Sequence, residues 1–204
     1  MSRESHWDAI YRAKEEQDLS WFEGLPAISL AMVEAAGLTA DTCVIDVGGG
    51  ESRLVDALLA KGLHCLAVLD VSAEALRCTQ ARVGAPSDLV TWIEADVTGN
   101  WQLKPMDIWH DRAVFHFLTD SEDRNRYLAH LRGTLKPHGY AIIATFAPDG
   151  PATCSGLPVV RYSPETLVAE FGADFSVVEA RSYRHVTPGG AEQSFQYSCL
   201  LRLH

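Results

Sequence analysis

The stretch Val44-Ile45-Asp46-Val47-Gly48-Gly49-Gly50-Glu51-Ser52-Arg53-Leu54 constrains the fold more than any other. A short apolar run ends in an acid and three glycines, and a helical period then resumes with Leu54, Leu58 and Leu59. A continuous apolar run reads as a strand buried on both faces of a parallel sheet. Glycines at its end let the backbone turn sharply and approach a ligand with no Cβ in the way, while the next helix presents free N–H groups. The unit therefore reads as a strand, turn and helix that cradle a nucleotide-like cofactor.

Downstream, the pattern repeats. His64 to Leu69 ends at Asp70, and Ser72 is placed to cap an alanine-rich helix. Leu89 to Ile93 leads into Glu94-Ala95-Asp96, Met106 to Asp111 reads as a fourth strand, and Tyr140 to Thr145 as a fifth. Thr119 with Glu122 fits a capping box for the helix that Lys136-Pro137-His138-Gly139 stops. Strands alternating with helices imply right-handed βαβ units, a parallel sheet with helices on both faces, and ligands beyond the carboxyl ends of the strands. The acids at 46, 70, 96 and 111 all fall on that rim. Residues 147–163 read as a loop, Ser163-Pro164-Glu165 opens a helix, and two strand-like runs around Pro188-Gly189-Gly190 predict a terminal antiparallel hairpin.

A chain of 204 residues suits one domain, divided here into an N-terminal lid (1–25), a cofactor-binding core (40–146) and a substrate-side loop, helix and hairpin (147–204). With 17 Lys and Arg against 27 Asp and Glu, the net charge of −10 and the lack of a basic stripe argue against nucleic acid as partner. No apolar run reaches membrane-spanning length and none resembles a signal peptide, so a cytoplasmic protein with no membrane partner is expected, as monomer or homodimer. Five scattered cysteines predict reduced thiols, and no histidine or cysteine spacing predicts a metal site.

Spacing narrows the cofactor. Asp70 lies 20 residues after Gly50, where a carboxylate can accept both hydrogens of a ribose diol, and Asp96 is placed to accept from an adenine amino group. The series VIDVGGGESRL, VLDVS, EADVT, DIWHDRAVFHFL and LKPHGY resembles the ordered motifs of class I S-adenosylmethionine-dependent methyltransferases across residues 40–146. The opening HWDAIY…SWF resembles the small-molecule members related to the thiopurine and trans-aconitate methyltransferase groups. The resemblance implies a Rossmann-like, doubly wound, seven-stranded sheet with an antiparallel last strand. It implies S-adenosylmethionine as cofactor, S-adenosylhomocysteine as product, and direct in-line transfer to a small-molecule acceptor. Carried over by position, Asp46 orients the cofactor's amino group and Gly48, Gly49 and Gly50 let the backbone lie against its methionine part. Asp70 and Val71 hold the ribose, Asp96 and Val97 read adenine, and Asp111, Trp7 and Tyr11 complete the cofactor set. Ser52 stands where the family commonly has its last glycine.

On the acceptor side, the end of the fourth strand suggests His116 as general base or orienting group and Arg112 as a holder of an anionic acceptor. Trp21, Cys154, Arg161, His185 and Phe195 are expected to form the substrate wall, because selection is usually made by loops. Trp92, Trp101 and Trp109 read as packing. A protein lysine or N-terminal methyltransferase, a non-catalytic cofactor-binding module and an NAD-linked oxidoreductase are the rival readings.

Overall fold

Four consecutive buried residues, Val44–Val47, form the first strand, β1, in the interior of a sheet that is covered on both faces. The architecture is that of a computed structural model that describes residues 2–204. Helices α1 (Arg3–Ala13) and α2 (Ala27–Ala35) precede β1. Then α3 (Leu54–Ala60), β2 (Leu66–Asp70), α4 (Ala73–Val83), β3 (Val90–Glu94), β4 (Met106–Arg112), α5 (Ser121–Thr134) and β5 (Leu135–Phe146) follow in turn. A small hairpin, β6 (Thr153–Cys154) and β7 (Leu157–Pro158), leads to α6 (Pro164–Phe171), β8 (Phe175–Val186) and β9 (Glu192–Arg202).

The main sheet has seven strands in the order β3-β2-β1-β4-β5-β9-β8. Strands β1 to β5 pair in parallel, and β9, the last in sequence, is antiparallel to both neighbours. The order reverses between β1 and β4, which places a crevice at the carboxyl ends of these two strands, where open α/β sheets bind ligands. Alternation along the strands separates two cores. Ile45, Val47, Leu69 and Trp109 pack with Leu128 and Leu131 of α5 and Phe171 of α6. Val44, Val68 and Ile108 pack with Met32 of α2 and Leu54 and Leu58 of α3.

The local stop and start signals act as their chemistry requires. Ser72 accepts from Ala75 N to cap α4, and Ser163 and Thr166 form a capping box at α6. Helix α5 is capped by Asp120, which accepts from Glu122 N, in place of the box expected from Thr119. The hairpin β6–β7 lies inside a segment that composition alone marked as loop, and residues 135–139 continue into β5 directly from α5.

The cysteine expectation is corrected. Cys43 and Cys65 immediately precede two paired strands, Val44 N donates to Cys65 O at 2.9 Å, and the two Cα atoms come within 4.6 Å, where the sulfurs form a disulfide. Lateral strand pairing creates that proximity and sequence spacing does not display it. Cys78, Cys154 and Cys199 are free. Thiol titration of the unreduced, denatured chain should therefore find the three free thiols; finding all five cysteines reactive would contradict the bond.

Candidate active site

At the end of β1 the chain turns so tightly that side chains cannot follow. Gly48 has φ of +67°, and a Cβ there would lie 2.0 Å from Val114 Cγ2. A Cβ on Gly49 would lie 2.7 Å from Asp46 Oδ2, so this glycine lets the backbone fold over the carboxylate. Ser52 keeps the turn by accepting from Leu54 N at the start of α3, and Arg82 ties its carbonyl at 2.7 Å.

The crevice beyond the turn has two adjoining parts whose linings share Tyr11, Trp21, Gly48 and Arg112. One reaches past Asp70, Val71, Asp96 and Val97 and is otherwise walled by Trp7, Phe117, Phe146 and Phe195. The other is the more polar of the two, with Ser29, Asp46, His110, Glu23 and Ser52 in its lining.

Each rim acid has a different environment. Asp70 accepts from Gly50 N at 3.0 Å and Ser72 N at 2.8 Å, yet burial outweighs these bonds and raises its pKa to about 6. Asp96 is half-buried; burial alone would raise it, but Thr98 and Arg3 overcompensate and hold it below the ordinary carboxylate range. Asp46 is 4% exposed, receives His110 Nδ1 on Oδ1 at 2.7 Å, and has no partner on Oδ2.

The N-terminal segment roofs the crevice. Trp7 stands edge-on to Phe117 and Trp21, and Tyr11 is buried beneath them with Leu19 and Ala75. Polar bonds pin this roof at several points. Arg3 bridges Asp96 and Asp123, and Ser72 Oγ donates to Asp8 at 2.6 Å. Arg112 donates to Trp21 O and Tyr197 Oη at 3.0 Å, with Glu23 at 3.4 Å. Burial disfavours the Glu23 anion, but His185 and Arg112 reverse this and keep it ionised.

Of the expected residues, Trp7, Tyr11, Trp21, Gly48, Asp46, Asp70, Val71, Asp96, Val97, Arg112, Cys154 and Phe195 face the crevice. Gly49 and Gly50 lie behind it and shape the turn. Four expectations are corrected. His116 is fully buried against Phe117 and Phe146, with Nδ1 accepting from Phe146 N; burial and the nearby Arg112 charge lower its pKa to about 3, so it is a neutral packing residue. Asp111 is enclosed, accepting from Tyr127 Oη at 2.6 Å and Val114 N at 2.8 Å, and fixes the turn after β4. Arg161 is exposed and donates to Gly150 O at 3.2 Å. His185 is buried with Nε2 2.8 Å from Ser20 O, and anchors the roof. Burial raises the Cys154 thiol, so a reactive thiolate is not favoured there.

Sequence reasoning passed over Arg3, Ser29, His110 and Glu23. His110 had a signal: two residues before Arg112 on one strand, it shares that residue's face. Arg3, Ser29 and Glu23 reach the site only through tertiary packing.

The Methyltransferase domain family matches residues 45–141 of the chain. Over that stretch, just under half of its length, the chain resembles a methyltransferase domain, and its seven-stranded sheet has the fold of S-adenosylmethionine-dependent methyltransferases. It is 23% identical over 161 residues, 71% of this chain and 69% of the other, to "EEF1A lysine methyltransferase 2" of Danio rerio. Its fold matches an S-adenosylmethionine-dependent methyltransferase from Anabaena variabilis at TM-score 0.75 and 13% identity, covering 99% of this chain and 96% of that one. It also matches the 1,6-didemethyltoxoflavin-N1-methyltransferase of Burkholderia thailandensis, solved with 1,6-didemethyltoxoflavin and S-adenosylhomocysteine, at TM-score 0.68 and 19% identity, covering 98% and 84%. Among the described residues no helix is long and apolar enough to cross a membrane, and no cluster of His, Cys, Asp and Glu is arranged to hold a metal.

The part-exposed Arg3 bridges predict a loosely fastened roof. Arg3→Ala should release about 0.5–1 kcal/mol, speeding amide exchange across α1 by about two- to fivefold without altering β1. Unchanged exchange in α1, or equal acceleration in β1, would contradict the latch.

Proposed function

We propose that the chain methylates a small-molecule acceptor by direct in-line transfer from S-adenosylmethionine bound along the rim of β1, β2 and β3. One observation supports the reading: Asp46, which keeps a buried carboxylate oxygen without a partner, lines the part of the crevice adjoining the part lined by Asp70 and Asp96. A buried acceptor without a donor is costly, and the cofactor's ammonium would satisfy it. Asp70 offers its carboxylate to the ribose diol, while Asp96 and the backbone at Val97 border the adenine position. Arg3 already binds Asp96, so cofactor entry and movement of α1 are coupled at that carboxylate.

The cofactor supplies an electrophilic methyl group on a positive sulfur that is already a good leaving group; the protein supplies alignment and a dry site. Trp7, Trp21, Phe117, Phe146 and Phe195 exclude water from the transfer region, and Arg112 presents a cation to an approaching anionic nucleophile. With His116 outside the crevice, turnover at saturating cofactor should follow the acceptor's own ionisation and not that of an imidazole base. The closed roof favours a small acceptor. A protein lysine acceptor is the second reading, supported by the resemblance to the Danio rerio protein, and it requires the roof to open.

Two measurements test this reading. Incubation with methyl-labelled cofactor and a panel of small thiols, phenols, amines and acids should label a small molecule; labelling only of protein would favour the second reading. Because the diol binds the ionised form of Asp70, S-adenosylhomocysteine affinity should fall as pH drops below about 6, by about tenfold per unit, and level off above it. Asp70→Ala should lose roughly 1–3 kcal/mol of affinity together with this pH step. A flat pH profile in the wild-type protein, or undiminished affinity in the variant, would contradict the role of Asp70.

A further inference from the structure

His110 is one of the least exposed polar side chains in the protein and neither packing nor the methyl-transfer step explains it. It sits on β4 directly beside Asp46 in the β1–β4 register, on the strand face that also carries Ile108 and Arg112. Its Nδ1 is 2.7 Å from Asp46 Oδ1 and its Nε2 is 2.9 Å from Ser29 Oγ, a hydroxyl presented by α2 from the opposite wall. Ser29 in turn lies against the Tyr197 hydroxyl, to which Arg112 donates.

These bonds have one consistent polarity. Asp46 can only accept when ionised, so Nδ1 carries a hydrogen and donates to Oδ1. In the neutral ring Nε2 then accepts from Ser29, and a fixed tautomer results. The effect on Asp46, a residue that lines the polar end of the crevice, is asymmetric: Oδ1 is occupied, while buried Oδ2 is left without a partner. A buried carboxylate held by one oxygen is aimed by that bond, because its two oxygens move together.

We propose that His110, locked by Ser29, is a positioning residue that aims the free oxygen of Asp46 at the α-ammonium of the cofactor's amino-acid end. This rests on the methyltransferase reading above and adds a residue-level account of why the crevice discriminates for the amino-acid part of the ligand. The hydroxyl–imidazole–carboxylate series resembles a nucleophile relay in composition, but Ser29 is buried and serves as the anchor of the chain. The imidazole lines only the polar part of the crevice and is not among the residues around Asp70 and Asp96.

The test separates the two ends of the ligand. Binding of S-adenosylhomocysteine and of 5′-methylthioadenosine, which keeps the adenosine and lacks the amino-acid end, is measured by calorimetry on the full chain and on His110→Phe, His110→Asn and Ser29→Ala. The Asn amide can still donate to Asp46; the Phe ring cannot. The expected result is that His110→Phe weakens S-adenosylhomocysteine by about tenfold or more, the size of a charge-assisted hydrogen bond, with methylthioadenosine changed by less than about twofold. His110→Asn should recover most of the loss, and Ser29→Ala should show a smaller loss with the same selectivity. Equal losses for both ligands, or no loss for either, would overturn the positioning role. Should His110→Phe not fold, the Asn and Ala variants decide: an unchanged ratio of the two affinities in both overturns the inference. If the wild-type chain bound neither ligand, the methyltransferase reading itself would fail, an outcome distinct from loss of selectivity alone.

Discussion

The site depends on a close approach between backbone and buried acids. Two successive glycines lie against carboxylates: a Cβ at Gly49 would lie 2.7 Å from Asp46, and one at Gly50 would lie 2.7 Å from Asp70. The three-glycine turn therefore does more than reverse the chain. It lets the ends of β1 and β2 present two carboxylates in one crevice, with the Gly50 amide as part of the compensation for burying Asp70. Any side chain at these positions would separate the acids from the backbone that orients them.

Around this turn the molecule divides rigidity unequally. The central strands are held by parallel ladders and by two apolar cores, one on each face. The roof is held by polar contacts and edge-on aromatics: Arg3 on Asp96 and Asp123, Arg53 and Arg82 on Glu16, and Arg112 with the His185 ring on Glu23. Ion pairs with exposed members contribute little each and are screened by salt. A rigid floor under a roof whose outer edge is fastened by part-exposed ion pairs, with the buried Arg112–Glu23–His185 group as its inner anchor, suits a site that must admit a charged cofactor and then exclude water.

The sequence displayed the floor well and the roof poorly, for physical reasons. Buried strands and their terminal acids are local signals: an apolar run, a carboxylate and a cap lie within a dozen residues, so β1 to β5 and Asp46, Asp70 and Asp96 were legible. The antiparallel β9 was legible from its period of two. Residues that act across the fold were not. Arg3 meets Asp96 from 93 positions away, and the disulfide joins residues that only lateral pairing makes neighbours. His116 misled because its type suits catalysis, and Asp111 because it ends a strand as the other rim acids do, while both precede or follow a turn that folds inward; burial, invisible in the sequence, decided against them. His110, passed over, lies one residue before Asp111 on the opposite strand face.

The most direct test is the position of the ligand itself, from a crystal structure of the chain grown with S-adenosylhomocysteine. The ribose diol should lie on Asp70, the ammonium on Asp46 Oδ2 beside His110, and adenine next to Val97 with Arg3 displaced from, or sharing, Asp96. Density for the ligand elsewhere, or an ammonium directed away from Asp46, would contradict this placement.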